Sequence, residues 1–209
     1  MLRKGAGRSG FIVPVSSIST DRYQSLQRLL RKNVLHYSSY DDRPSRLFEG
    51  LEHIRLTIHL IGSDGDSRFS SRYNKWASDE RPTLFQNLVY ASADVSLVEG
   101  SLPKLASSLE AAIVAKLSTQ PFRMVSSYAS RKGSSIYYSR KVGYFLQALD
   151  FEPKVLDGRG KRRPPSEFKE LVFESDAIAS IALACLNSTL FYWFVTVHSD
   201  CRHVNKREI

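Results

Sequence analysis

The side chains that could do chemistry crowd into one short stretch. From Asp41 to Glu52 the carboxylates Asp41, Asp42, Glu49 and Glu52 are interleaved with the guanidinium groups of Arg43 and Arg46, around Pro44, Gly50 and one aromatic, Phe48. Carboxylates this close together are the raw material of a metal-dependent nuclease, in which acidic oxygens hold the cation that activates water. That reading predicts magnesium-dependent cleavage abolished by Asp42→Ala. The arginines among the acids offer a simpler one, ion pairing within the loop. No Ser/His/Asp constellation can be read from spacing, no Gly-rich dinucleotide fingerprint follows a strand pattern, and no phosphate-binding P-loop is present. His198, Cys201 and His203 lie close together, but no second ligand pair has zinc-type spacing, so no metal site is expected.

The elements that must position this stretch are legible on both sides of it. Behind it, Ile54, Leu56, Ile58 and Leu60 alternate with Arg55, Thr57 and His59, a period of two that predicts a strand over Leu51 to Ile61 with the aliphatic face packed and the polar face turned away. Before it, Phe11 to Val15 reads as a short buried strand. Ser19, Thr20 and Asp21 then offer N-caps to a helix carrying Tyr23, Leu26, Leu29, Leu30 and Val34, and Val34 to Tyr40 reads as a second strand. Strand, helix, strand, loop, strand is how a piece of an open α/β sheet looks. One helix cannot cover both faces of such a sheet, so either the rest of it lies outside this chain or later residues complete it. A rigid sheet presenting a charged loop is a common way to build a site.

The Asp-Gly turn in residues 62–67 marks an expected domain boundary. Beyond it, Arg68 to Trp76 reads as a strand, Asp79 to Asn87 as a short helix around Pro82, and Leu105, Leu109, Ile113 and Leu117 as a helix beginning near Pro103. Ala111 to Leu149 contains no acid, while Lys116, Arg123, Arg131, Lys132, Arg140 and Lys141 are spread among Phe122, Tyr128, Tyr137, Tyr138, Tyr144 and Phe145. Lys132-Gly133 between two segments of strand composition predicts a basic hairpin. Lys161, Arg162 and Arg163 form a second basic knot before Pro164-Pro165.

A formal charge of +9 over 209 residues points to an anionic partner. Bases with interleaved aromatics suit double-stranded DNA, the cations neutralising phosphates and the rings packing on sugars or bases. A solvated basic face beside core aromatics is the plainer alternative. The uncharged run Ala177 to Val197 is about as long as the ~20 residues of a membrane span, but Asn187, Ser188 and Thr189 interrupt it, and two short buried helices are expected instead. The apolar piece Phe11 to Val15 is too short for a signal-peptide core. Two cysteines, Cys185 and Cys201, make no disulfide framework, and Cys185 sits where a thiol behaves as a small hydrophobe. A cytoplasmic protein with no membrane partner is the expectation.

Four segments, GFIVPVSSISTDRYQSLQRLL, DDRPSRLFEGLEHIRLTIHL, YYSRKVGYFLQALDFEPK and LNSTLFYWFVTVHSDCRHVNKREI, resemble in order the adenine-N6 DNA methyltransferases of bacterial restriction-modification systems, in particular the large type IIG-like enzymes. The second and fourth are the most specific. The resemblance implies that residues 1–64 are the C-terminal part of a Rossmann-like, S-adenosylmethionine-dependent catalytic fold. It implies an α+β target recognition domain over 65–209. The family's Asn/Asp-Pro-Pro-Tyr/Phe motif and its Gly-rich cofactor motif lie before the strand that resembles Phe11 to Val15, and neither is in this sequence. Pro164-Pro165, between Arg163 and Ser166, cannot stand in. The resemblance therefore implies no catalytic residue and no cofactor held by this chain alone, S-adenosylmethionine belonging to the complete enzyme.

An enzyme that methylates a base takes it out of the helical stack and holds it against an aromatic face. The aromatic in the corresponding place is Phe48, with Arg43 and Arg46 beside the DNA backbone. The implied DNA-binding set adds Arg123, Arg131, Lys132, Arg140, Lys141, Lys161, Arg162 and Arg163. Its partners are duplex DNA and the missing N-terminal catalytic part or a separate catalytic subunit. A free-standing specificity module acting in trans with such a subunit is the alternative.

Overall fold

The computed structural model describes residues 7–121 and 124–209. The chain forms two compact units that divide at residues 122/123, with Thr196–Asp200 belonging to the first.

In the first unit β1 (Ser9–Pro14) leads through α1 (Ser16–Ser19), a 3-10 turn and α2 (Gln24–Leu30) into β2 (Asn33–Tyr40). After the charged loop come β3 (Leu56–Asp64), β4 (Arg68–Asn74), β5 (Ala91–Ser92) and α3 (Ser108–Ser118). The strands form one mixed sheet in the order β1-β3-β2-β4-β5. β3 is antiparallel to both its neighbours, so β1 and β2 run the same way and β3 fills the position between them. β4 is parallel to β2. The boundary expected at residues 62–67 thus falls inside a single sheet, because β4 carries the ladder on from β2 directly after that turn. The chain is mixed α/β, as its strand and helix patterns required.

The helices form without the expected caps. Thr20 turns its hydroxyl back to the Ser16 carbonyl, and buried Gln27 stitches α2 down by donating to the carbonyls of Ser17 and Thr20. Under these helices lies one core, with Val15, Ile18, Leu30, Leu35, Tyr37, Ala93 and Leu102 closely packed. On the opposite face Tyr40, Leu47, Leu56, Trp76 and Leu84 form a second.

Two expectations about burial are corrected. β1 is not a buried strand: Phe11 and Ile12, pointing to opposite faces, are 50% and 51% exposed, because among the described residues nothing pairs with its outer edge. In β3 the polar face is the better buried one. Thr57 and His59 lie under α1 and α2, whereas Leu60 is 52% exposed. Thr57 is tolerated there because its hydroxyl donates to the Ser38 carbonyl and accepts from the Ser39 hydroxyl. On the aliphatic face, the second core covers Leu56 and reaches Ile58 but stops short of Leu60.

In the second unit β6 (Ala129–Ser139), β7 (Ala148–Leu149) and β10 (Phe168–Phe173) make a three-stranded antiparallel sheet in the order β10-β6-β7. β8 (Val155–Leu156) and β9 (Arg162–Arg163) form a separate hairpin. α4 (Asp176–Leu186) packs on β6 and is capped by the Ser175 hydroxyl, which accepts from the Ile178 amide. Asn187 then breaks the helical run, its side-chain amide bracketing both backbone groups of Ala148. α5 (Thr189–His198) follows at 64° to α4. Among the described residues no single helix is long and apolar enough to cross a membrane. Cys185 is exposed, not core as its apolar surroundings in sequence suggested, since it falls on the outer face of α4.

Candidate nucleic-acid interface

The charged loop leaves the C-terminal end of β2 and re-enters the sheet at β3. Its first two residues are pinned: the Asp41 amide donates to the Asn74 carbonyl at the end of parallel β4, and the Asp42 amide donates to the Asp41 carboxylate. Both carboxylates are nearly sequestered, and the Arg55 guanidinium lies against both. Arg55 Nε lies 3.3 Å from Asp41 Oδ1 and 3.5 Å from Asp42 Oδ1.

Burial and the hydrogen bond with Asp42 push the Asp41 carboxyl above its usual range. For Asp42 burial acts upward too, but the bond to Asp41 and the Arg55 charge outweigh it, and its carboxyl sits below the usual range. Arg55 therefore stands where a nuclease would need a cation, and Glu52 is drawn off to Arg46 at 2.7 Å. Among the described residues no three His, Cys, Asp or Glu side chains come together as a metal site.

The middle of the loop is held from the side. Arg81, on the 3-10 turn Ser78–Thr83, donates to the carbonyls of Arg46 and Leu47 at 2.7 and 3.1 Å while its guanidinium lies over the Trp76 ring. Ser45 and Ser78 share a hydroxyl hydrogen bond of 2.7 Å. Leu47 plugs into the core against Tyr40, Leu56, Trp76 and Leu84, and Phe48 is left outside, 43% exposed. Gly50, at φ +76°, reverses the chain immediately afterwards. The loop thus presents an aromatic face on a stapled backbone, with the exposed Arg43 reaching Asp42 only at 4.0 Å.

In the second unit the expected hairpin at Lys132-Gly133 does not form. β6 runs through it as one strand, and the five residues Ser130 to Ser134 bulge out between the pairings Ser135↔Val172 and Ala129↔Phe173. Gly133 is required by this detour: a Cβ there would collide with the Phe173 carbonyl oxygen. The bulge leaves Arg131 and Lys132 exposed. Arg140 and Lys141 are exposed beyond the end of β6, their backbone groups tied to Glu167, Val204 and the Lys141–His203 bridge.

The second basic knot is the β8–β9 hairpin. Asp157 caps its turn by accepting from the amides of Arg159 and Lys161. Lys161 is exposed beside the turn and Arg162 pairs loosely with Glu152 at 3.4 Å. Arg163 is engaged by two hydrogen bonds to Glu167, of 3.1 and 2.8 Å. That bonding holds the Glu167 carboxyl down at about 2.

Of the interleaved aromatics, Tyr138 is core, Tyr137 is half-buried and bonded to Glu170, and Tyr128, Tyr144 and Phe145 are exposed. Tyr138 thus fits the plainer reading of core aromatics beside a basic face, while the three exposed rings lie in the same stretch as exposed cations. Arg123 and Phe122 lie outside the described residues, and Lys116 belongs to α3 of the first unit. Arg55 and Arg81, the residues that position the charged loop, were not singled out from sequence. Arg55 looked like the outer face of a strand, and Arg81 acts across 34 residues of chain. No family model and no curated protein matches the chain.

Proposed function

We propose that this chain is the DNA-binding, target-recognition portion of a site-specific adenine-N6 DNA methyltransferase of a restriction-modification system, and that it transfers no methyl group by itself. The observation that carries the reading is Phe48, an aromatic held out to solvent by a loop whose neighbours are stapled to the sheet. A flipped base needs such a fixed, exposed ring to stack on, and a ring tucked beneath the loop could not serve. The basic bulge at Arg131 and Lys132 and the hairpin at Lys161 and Arg162 give the second unit the cations that track phosphates. Arg140 and Lys141 extend that set, and Arg43 and Arg46 extend it from the loop.

The strand arrangement supports the reading that this sheet belongs to a methyltransferase fold, since β1 and β2 run alike with β3 reversed between them and, among the described residues, nothing pairs with the outer edge of β1. S-adenosylmethionine would be bound in the complete enzyme and not by this chain alone. The test is duplex binding by fluorescence anisotropy from 50 to 200 mM salt, with the logarithm of affinity expected to fall steeply and linearly, as counterion release by several phosphate contacts requires. Salt-insensitive or absent binding overturns the DNA reading. Methyl transfer by the purified chain overturns the claim that it is inactive alone. A specificity module acting in trans predicts the same binding, and adding the separate catalytic chain that restores methylation distinguishes it.

A further inference from the structure

We infer that Phe145, with Tyr144 at its flank, is a wedge that enters a base step of duplex DNA and partly unstacks it. This rests on the DNA reading of the second unit and gives the loop between β6 and β7 its part in it. The loop runs from the cations Arg140 and Lys141 through Val142, Gly143, Tyr144, Phe145, Leu146 and Gln147 to β7, and no acid occurs from Arg140 to Leu149. In an extended chain consecutive side chains point to opposite sides, so one of two adjacent rings would turn inward. Here the backbone bends over Gly143 to Phe145 and both rings project, Tyr144 at 72% and Phe145 at 70% exposure. They are the two most exposed large apolar side chains among the described residues.

The backbone that carries these rings is tied down on each side of them. Ahead of them the Arg140 amide donates to the Glu167 carbonyl at 2.9 Å and the Val142 amide to the Arg202 carbonyl at 3.0 Å. The Arg140 carbonyl accepts from the Val204 amide at 2.9 Å, and the Gly143 carbonyl from the Tyr192 hydroxyl at 3.0 Å. Behind them the Gln147 carbonyl accepts from the Ser139 amide at 2.8 Å, and Asn187 brackets Ala148. Only Tyr144, Phe145 and half-buried Leu146 lie between the two sets of ties. A ring held out on such a loop can be buried in a partner with little ordering cost, since the backbone beneath it is already fixed.

Duplex DNA has a counterpart for both kinds of side chain on this loop. Its phosphates answer the exposed Arg140 and Lys141, which fix a register on the backbone without reading sequence. Its stacked bases admit an apolar side chain between them, the device by which many proteins kink a duplex and wrap more of it. A lipid surface also answers cations and rings, but holding to one takes an amphipathic helix or a lipid chain beside a polybasic patch. The rings here stand on a short bend instead.

The probe is a fluorescein-labelled random-sequence duplex, either intact or with two facing abasic sites at its centre, titrated with the full chain. The facing sites open a step and leave no base there to stack on Phe48, so they report the wedge alone. The opened duplex should bind at least about tenfold more tightly, because the unstacking cost of insertion is removed. The preference should vanish in Phe145→Ala, and persist in Phe145→Trp and in Ile181→Ala, which truncates an exposed side chain of α4. Energy transfer between dyes at the two ends of the intact duplex should rise on binding the native chain, as bending requires, and not on binding Phe145→Ala. Its urea midpoint should match that of the native chain, as expected for an exposed ring. Equal binding of the two duplexes, or a preference that survives Phe145→Ala, overturns the wedge and leaves the DNA reading, which stands on salt-dependent binding of the intact duplex. Failure to bind either duplex overturns both. Phe145-dependent binding to phosphatidylglycerol vesicles with no preference between the duplexes gives the loop to a lipid surface and overturns the wedge as well.

Discussion

Leu47 and Phe48 are chain neighbours with opposite fates: Leu47 is 9% exposed and wedged against Tyr40 and Trp76, while Phe48 stands 43% exposed above it. The division separates stability from function. Leu47→Ala should cost about 2 to 3 kcal/mol in urea denaturation, the range for a buried leucine that leaves a cavity. Phe48→Ala should shift stability by less than about 0.5 kcal/mol. It should nevertheless weaken binding to a duplex carrying an unpaired adenine analogue, while binding to intact random-sequence duplex stays within about twofold. Equal losses on both duplexes would remove Phe48 from base stacking.

Arg55 lies within 3.5 Å of both sequestered carboxylates, and its removal should be costly. Arg55→Met is expected to lose about 3 kcal/mol at neutral pH, because it leaves uncompensated buried charge. The two acids should respond in opposite directions. Asp41, its pKa raised by burial, prefers its proton in the folded state; its ionisation costs stability above its unfolded pKa, and Asp41→Asn should be neutral or stabilising at pH 7. Asp42, its pKa lowered, contributes stability present above its unfolded pKa and lost as pH falls through the folded value, so Asp42→Asn should destabilise at pH 7. Equal effects of the two asparagine variants would refute the asymmetry.

The arginines and lysines of the second unit should not contribute equally to DNA binding. Arg131→Gln with Lys132→Gln removes two cations displayed on the bulge, and the slope of log affinity against log salt should fall by about 2. Arg163→Gln should change the slope less, since that guanidinium already gives two bonds to Glu167. With the Glu167 carboxyl held near 2, the pair persists at every pH at which a duplex can be studied. A larger effect from Arg163 than from the bulge pair would reverse this ordering.

What sequence could and could not reveal follows from the range of the interactions. Strand and helix order in the first unit was legible because apolar periodicity is local, and β2 and β4 lie where their patterns put them. Burial was not, because it depends on what covers a face. Thr57 and His59 look like a solvent face until α1 and α2 fold over them, and Leu60 looks like core until the second core is found to stop at Ile58. Lys132-Gly133 carried a turn signal, but the glycine serves a close approach to Phe173 across the sheet, which the same residue type satisfies equally well. In the loop the aromatic was visible from composition. The staples that hold it, Arg55 to the aspartates and Arg81 to the Arg46 and Leu47 carbonyls, join residues whose pairing no spacing rule encodes.

His59 turns that buried polar face into a measurable pH dependence. It is 2% exposed, its Nε2 is buried without a hydrogen-bond partner, and burial pushes the imidazole down from 6.5 to about 4. The folded chain therefore binds this proton more weakly than the unfolded chain. The resulting stability is fully present above about pH 6.5, declines as pH falls through the unfolded value, and is lost by about pH 4. The full span is about 3 kcal/mol at ~1.4 kcal/mol per pH unit. His59→Leu, similar in size and without a titrating group, should flatten this part of the stability profile while matching or exceeding the native chain at pH 5. Urea midpoints measured at half-unit steps between pH 7 and pH 4 decide it, and an unchanged slope in the variant would assign the acid sensitivity to other groups.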